Sequence, residues 1–313
     1  MSSTVSRQQL LDLLANFCDT WAGTPSVPAA DLFAHDVELF SSHRGNAQGR
    51  EEVLGLLRGD FAGLEAVRIS ATNRVPRVSS DDSVVGAYVY GQAQRASGAA
   101  DGEAALFGGV LVLSFESRES RLFIRTVRFQ LGWAEGVTAL LAGWQLPPMN
   151  RAWRPGDQPA VVVSEMDAPW HRIPVSELPI SDEDAVAEAW FRYVWALDQA
   201  DFVLFEQSFS ENIEAELTPM GRMKGRRTLM GTLKAFRLPW PWMQHYGEPV
   251  QVEIEPDGNS AALLLGRITP GQTQTPEGKQ LYGAHYRIRT VRSGEESWQI
   301  SQMEYIPGWI SFE

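Results

Sequence analysis

"WQISQMEYIPGW", residues 298–309, reads as a strand that ends in an aromatic and runs into Gly-Trp. "LFIRTVRFQLGW", residues 122–133, reads the same way. Ile124 and Ile300 stand 176 positions apart, and so do Gly132 and Gly308, and Trp133 and Trp309. The same offset carries Gly45, Gly49, Arg50 and Gly55 onto Gly221, Gly225, Arg226 and Gly231. It also carries Phe33 onto Phe209, Val37 onto Ile213, Glu38 onto Glu214 and Asp81 onto Asp257. One register that works over roughly a hundred residues without a gap predicts two copies of one fold; a repeat this long is a duplicated domain rather than a solenoid.

Within each copy the hydrophobic period changes once. Leu10, Leu13, Leu14, Phe17 and Trp21 mark an amphipathic helix in the first copy, and Val186, Trp190, Val194 and Leu197 mark one in the second. Ser181 is placed to cap the latter, with Asp182, Glu183 and Asp184 suited to the positive end of its dipole. A shorter helix and a strand follow, near Val37–Phe40 or Ile213–Leu217, then a glycine-marked turn into a third helix, "GNAQGREEVLGLLRG" or "GRMKGRRTLMGTLKAF". The rest alternates as strand, as in "PVQVEIEPDGNSAALLLGRIT" with its Asp257-Gly258 turn. Helices first and antiparallel strands after them predict an α+β fold, twice. The expected domains are 1–145 and 181–313. Between them, residues 146–180 contain seven prolines, which block helices and central strands. This stretch reads as an extended strap pinned by Trp153 and Trp170, or as a loose linker.

Composition narrows the function classes. With 313 residues, 44% of them hydrophobic, the chain can bury two cores. A net charge of −12 repels phosphate backbones, which argues against a nucleic-acid partner. Cys18 is the single cysteine, no Cys/His cluster has zinc spacing, and no apolar run is long enough to span a membrane. The expectation is a cytoplasmic protein with neither metal nor cofactor.

Helix, helix, strand, a G-x-x-x-G-R helix entry, then four long strands closing on Gly-Trp: this order resembles the nuclear-transport-factor-2-like superfamily. The second copy resembles its SnoaL-like and scytalone-dehydratase-like branch. The likeness is carried by "YVWALDQADFVLFEQSFSENIEAEL" (193–217), "GRMKGRRTLM" (221–230), "QHYGEPVQVEIEPDG" (244–258) and "SWQISQMEYIPGW" (297–309). It covers nearly all of 181–313 and, more weakly, about 6–145. The resemblance implies two tandem cone-shaped domains, each a curved antiparallel sheet wrapped around about three helices, with an apolar pocket at the open end. The first copy is expected to pack against the second as a built-in pseudo-dimer half, or to bind a second ligand, and whether whole chains associate further is left open. Members include dehydratases, isomerases, cyclases and non-catalytic binders, so the fold alone selects no activity.

The resemblance also implies an acid–base dyad. Asp198 in "ALDQAD" matches the branch's aspartate and His245 in "MQHYGEP" its histidine. Physical reading adds weight. Asp198 continues the Trp190–Val194 stripe at four-residue spacing, at the helix end where the dipole disfavours a negative charge. A carboxylate there is costly unless paired, and a histidine would pair it, which would fix the imidazole tautomer and stabilise its protonated form. The bland readings are a turn aspartate and a strand-edge histidine. At the 176 offset the first copy has Ala22 and Ile69, neither of which titrates. Its own His43 reads as a solvated loop residue and His35 as a helix-end residue.

Around the dyad, alternation on "QLYGAHYRIRT" puts Tyr282, Ala284, Tyr286 and Ile288 on one face, to line the cone or to serve as core. Tyr193 and Trp190 on the first helix are further candidates. Trp240, Trp242, Met243 and Tyr246 read as an aromatic lid over a flat substrate, or as a proline-rich loop packed on the sheet. The chain departs from scytalone dehydratase: at that branch's further polar positions stand Glu216 or Leu217, Pro270, Tyr282 and Ala284. The implied function is a cofactor-independent lyase or isomerase acting on an apolar, aromatic or polycyclic secondary metabolite. The alternatives are a polyketide cyclase or aldol-type carbon–carbon lyase using the same base, and a non-catalytic small-molecule binder or scaffold.

Overall fold

A computed structural model describes residues 5–95, 104–147, 161–239, 243–294 and 297–312. The chain divides into two compact units, Met1–Pro179 and Ile180–Glu313. The first holds α1 (Arg7–Trp21), α2 (Ala29–Leu32), β1 (Phe33–Ser41), β2 (Gly45–Gln48), α3 (Arg50–Asp60), β3 (Ala66–Val78), β4 (Ser83–Gln94), β5 (Ala104–Arg118), β6 (Arg121–Gly136) and α4 (Pro169–Arg172). The second holds α5 (Asp182–Asp198), α6 (Phe202–Gln207), β7 (Phe209–Leu217), β8 (Gly221–Lys224), α7 (Arg226–Arg237), β9 (Gly247–Ile254), β10 (Ser260–Arg267), β11 (Leu281–Arg292) and β12 (Trp298–Ser311). The sheet orders are β2-β1-β6-β5-β4-β3 and β8-β7-β12-β11-β10-β9, one topology written twice. The α+β class and the duplication hold. Each sheet is mixed rather than wholly antiparallel, because β1 runs parallel to β6 and β7 parallel to β12. The long path between those strands, through a helix and four strands, permits the parallel pairing that a tight hairpin forbids.

The repeated G-x-x-x-G-R has a mechanical explanation. Gly49 and Gly225 stand at φ +87 and +86, where a Cβ is disfavoured. Their amides donate to Val37 O and Ile213 O, each at 2.8 Å. The following arginine reaches back to the start of the preceding strand: Arg50 Nη2 to Phe33 O at 2.7 Å, Arg226 Nη1 to Phe209 O at 3.3 Å. This motif therefore fixes the strand–helix corner in both copies. The closing Gly-Trp does not behave as a pair. Gly308 takes φ +110 whereas Gly132 does not have a positive φ, and Trp309 is 53% exposed.

In the first unit the cup is filled. Trp21 lies against Phe129 (ring centroids 4.9 Å), Phe107 (5.9 Å), Phe61 (6.1 Å) and Trp144 (6.5 Å). Two glycines admit those rings: a Cβ at Gly91 would sit 2.1 Å from the Phe107 ring, and one at Gly109 2.2 Å from Gln130 O and 2.7 Å from the Phe129 ring. Within this packing lies a polar knot. Asp60 Oδ2 accepts from Trp21 Nε1 at 2.7 Å and lies 3.0 Å from His43 Nε2. His43 Nδ1 meets Ser41 Oγ at 2.6 Å. Arg44 Nε stands 2.9 Å from Asp60 Oδ1, an ionic contact without hydrogen-bond alignment. The expectation of a solvated His43 is thus overturned: the residue is 4% exposed and both ring nitrogens are engaged. His35 is an exposed residue on β1, not a helix-end residue.

Residues 161–178 run across the face of the first sheet opposite its helices. Val162 N donates to Gln130 Oε1 on β6, Arg172 binds Ser114 Oγ on β5 and Asp82 before β4, and Glu177 N donates to Val78 O on β3. Trp170 is buried there; Trp153 lies outside the described residues. On that face Tyr88, Val110 and Val112, which alternate with the helix-side core, are fully buried.

The knot generates a stability prediction. Asp60→Ala leaves Trp21 and His43 without their shared acceptor and Arg44 without its counter-charge, and is expected to cost the first unit about 3–5 kcal/mol. Urea denaturation followed by tryptophan fluorescence checks this; a midpoint equal to that of the wild type would contradict it.

Candidate active site

The last residue of α5 is Asp198, and its placement follows from helix period. Trp190, Val194 and Asp198 repeat every four residues, and the first two are fully buried, so the carboxylate is carried inward with them. Ser181 caps the start of this helix, accepting from Asp184 N at 3.1 Å. Beyond its end Ala200 takes φ +59, and Asp201 caps α6 by accepting from Leu204 N at 3.0 Å. That tight corner turns the chain from α5 directly into α6.

His245 approaches from the segment leading into β9. Asp198 Oδ2 accepts from the His245 amide at 2.8 Å, and Oδ1 lies 2.7 Å from His245 Nδ1. The carboxylate is 0% exposed and the imidazole 11%. One carboxylate thus grips a single residue at its backbone and at its ring. Because an ionised carboxylate only accepts, Nδ1 must carry a proton, which makes Nε2 the basic nitrogen of the neutral ring. A buried base held in one tautomer can take a proton from carbon and return it.

Two tyrosines border the dyad. Tyr286 pairs with Leu265 across β11 and β10, and its ring lies 6.1 Å from Trp190 and 5.0 Å from Tyr305. Tyr193 stacks on Phe205 at 5.9 Å. Burial pushes both phenols above the ordinary tyrosine value, Tyr193 well above it. Each also feels the Asp198 carboxylate, which raises it further, and the Arg267 guanidinium, which lowers it. Asp198, Tyr193, Tyr286 and Arg267 therefore share one neighbourhood. Tyr246 is buried, with its hydroxyl on Gln244 Oε1 at 2.6 Å. Trp240 and Trp242 lie outside the described residues.

Tyr282 does not share the face of Tyr286. Its ring covers Gly266, where a Cβ would meet it at 2.4 Å, and its hydroxyl donates to Glu248 Oε1 at 2.6 Å. Gly266 alternates with Leu265 and Arg267, so Tyr282 lies on the side opposite to them. The simple alternation along "QLYGAHYRIRT" fails because the β11–β12 register shifts between Tyr282 and Ala284, beside the left-handed Gly308.

Arg267 is the residue the sequence reading missed. It pairs with Ala284 on β11 and Gly247 on β9, its Nε donates to Tyr246 O at 3.1 Å, and its Nη1 reaches Tyr286 Oη at 3.5 Å. A signal was present: Ala261, Leu263 and Leu265 form the buried stripe of β10, and Arg267 is the next position on it. A charge continuing an apolar stripe is the same anomaly that singles out Asp198. Among the described residues, no group of three or more His, Cys, Asp or Glu could hold a metal, and no helix is long and apolar enough to cross a membrane.

Comparison with known proteins places the second unit. Residues 179–304 match the family model described as a SnoaL-like domain. No curated protein matches the chain. Among solved structures, the Kfla4162 protein from Kribbella flavida is similar at 16% identity, over 44% of this chain and 97% of that one, with a TM-score of 0.38. A putative scytalone dehydratase from Novosphingobium aromaticivorans is similar at 13% identity, over 41% and 85%, with a TM-score of 0.36. A hexachlorocyclohexane dehydrochlorinase, LinA-type3, from Novosphingobium barchaimii is similar at 16% identity, over 42% and 88%, with a TM-score of 0.36.

The raised phenols predict a pH dependence. Tyr193 and Tyr286 hold their protons better folded than unfolded, so their stabilisation is whole below the unfolded value of about 10. It is lost as pH rises from there through the folded-state values. An absorbance titration of the folded protein should show a late-ionising fraction that shrinks in Tyr286→Phe, and the urea midpoint should fall above about pH 10. Complete tyrosine ionisation near pH 10 without unfolding would contradict this.

Proposed function

We propose that the second unit is a cofactor-independent lyase or isomerase in which His245 moves a proton on an apolar, ring-containing small molecule. The observation that carries this reading is the double grip of Asp198 on His245. A carboxylate fully withdrawn from water spends both oxygens on one residue, one on its backbone amide and one on its imidazole, which fixes the ring in position and tautomer. His245 Nε2 takes a proton from carbon beside a carbonyl, and the C–H electron pair moves into the new C=C bond as charge passes to oxygen. Return of that proton to a different carbon isomerises the substrate. Its delivery to a departing hydroxyl dehydrates it. Asp198 holds the tautomer and balances the imidazolium. Trp190, Tyr193 and Tyr286 are buried aromatics of this unit, surroundings whose chemistry suits a flat ring. A positioned base of this kind contributes about 10²–10⁴-fold to rate.

The test needs no knowledge of the natural substrate. Proton–deuterium exchange beside the carbonyl of alpha-tetralone, followed by NMR in heavy water, reports the base directly. Wild type is expected to accelerate exchange, and His245→Gln to lose about 10²–10⁴-fold of it with an unchanged circular dichroism spectrum. Asp198→Asn is expected to lose a comparable factor. Its amide would donate to Nδ1 and force the proton onto Nε2, the wrong tautomer for a base. Exchange that persists in His245→Gln would remove this reading, whereas tight ketone binding without exchange in wild type would favour the non-catalytic binder.

A further inference from the structure

The second unit's cup holds hydrogen-bond donors that the protein does not use. Arg267 is half-buried, and among the described residues no carboxylate lies within ion-pair distance of its guanidinium. Its protein partners are one backbone carbonyl and the Tyr286 oxygen. Tyr286, 5% exposed, accepts from Arg267, and among the described residues its own O–H donates to nothing. The indole N–H of Trp190, whose ring neighbours that of Tyr286, is fully buried and without an acceptor. Buried donors are normally satisfied. A cation and two neutral donors left over in one place match a group that only accepts and carries negative charge.

We infer that Arg267 and the Tyr286 hydroxyl form an oxyanion site, receiving the substrate oxygen on which charge develops as His245 removes the proton. The role in turnover rests on reading His245 as the base; the site itself does not. In the forward step the C–H pair forms the C=C bond, the carbonyl π pair settles on oxygen, and Arg267 and Tyr286 hold that enolate while the proton stays on Nε2. In the reverse sense the pair returns to carbon and the proton leaves the imidazole. No oxidant or other reactant is required. The substrate class follows as ketones, or phenols reached by enolisation, whose oxygen lies on the β10–β11 side of the cup. A substrate without an oxygen there would leave the guanidinium uncompensated.

The inward positions of the first unit support the assignment. At the 176 offset Arg267 corresponds to Gly91, on the stripe that continues from Val85, Ala87 and Val89. Leu265 corresponds to Val89, and where Leu265 pairs with Tyr286, Val89 pairs with Gly109. Both oxyanion donors are thus glycines in the unit whose cup is filled.

Binding of para-nitrophenolate, a flat ring bearing a fixed anionic oxygen, tests this against para-nitroanisole, the same ring without the charge. Wild type should prefer the phenolate. Arg267→Gln should weaken phenolate binding about 10–100-fold and leave the anisole within about threefold. Arg267→Lys should restore part of the preference, and Tyr286→Phe should reduce it with the fold intact by circular dichroism. His245→Gln should keep it. Loss of the preference in Arg267→Gln with no tetralone exchange in wild type upholds the oxyanion site and removes the base. Exchange that depends on His245, with the phenolate preference untouched in Arg267→Gln and Tyr286→Phe, overturns the oxyanion site alone.

Discussion

Two bonds from one carboxylate hold the second unit's site together. Asp198 ends α5, His245 leads into β9, and the contact between them is made at backbone and ring at once. A carboxylate at a helix C-terminus, out of water, is unfavourable on two counts, dipole and desolvation. Hydrogen bonds to a charged group are worth about 1.5–3 kcal/mol each, and both oxygens are used. The helix–strand junction and the orientation of the imidazole are consequently the same interaction. Arg237 reinforces the corner by donating to the Asp198 carbonyl at 2.8 Å.

The two units show what one topology allows. Their sheets have the same strand order and their glycine–arginine corners the same bonds, so the framework is indifferent to what fills the cup. Filling is decided by a few inward positions. Gly91 and Gly109 leave room that Phe107 and Phe129 occupy, and Trp21 closes the space between them. The second unit places a guanidinium and a phenol at the counterparts of those two glycines. A Cβ at either glycine would collide, so the aromatic filling and the absence of side chains there belong together.

Much of this was legible from residues. The 176 offset located the duplication because the corner glycines need positive φ and tolerate no substitute without strain. Asp198 stood out as a charge on a helical stripe. Arg267 carries the same mark on a strand stripe, but "LLLGRIT" also reads as an ordinary strand end. Alternation predicts the wrong face for Tyr282 because it assumes an unbroken ladder, and the register shift opposite Gly308 breaks it. The offset has a similar limit: the β4–β5 and β10–β11 pairings differ by one residue, so Tyr286 answers to Gly109 rather than to the residue 176 positions earlier. His43 was misjudged from the polar loop around it. Nothing in "SSHRGNAQG" reveals that Asp60, from the far end of α3, folds back onto its ring.

Acid, imidazole and guanidinium occur in both cups, and their pairing determines what each can do. In the first, Asp60 meets Trp21, His43 and Arg44, while Ser41 takes the other imidazole nitrogen. The charges cancel locally, neither ring nitrogen is left as a base, and the adjoining cavity is about 10 Å³, room for one water at most. In the second, among the described residues, His245 takes both oxygens of Asp198 and no carboxylate pairs with Arg267. On the proposed reading, keeping the guanidinium away from the carboxylate separates a proton acceptor from a charge acceptor. That separation is what heterolysis of a C–H bond requires, since the proton and the electron pair must be received at different places. A cup that neutralises itself can only be a core; under the proposed function, one that keeps its imidazole and its guanidinium apart has a use for a substrate between them.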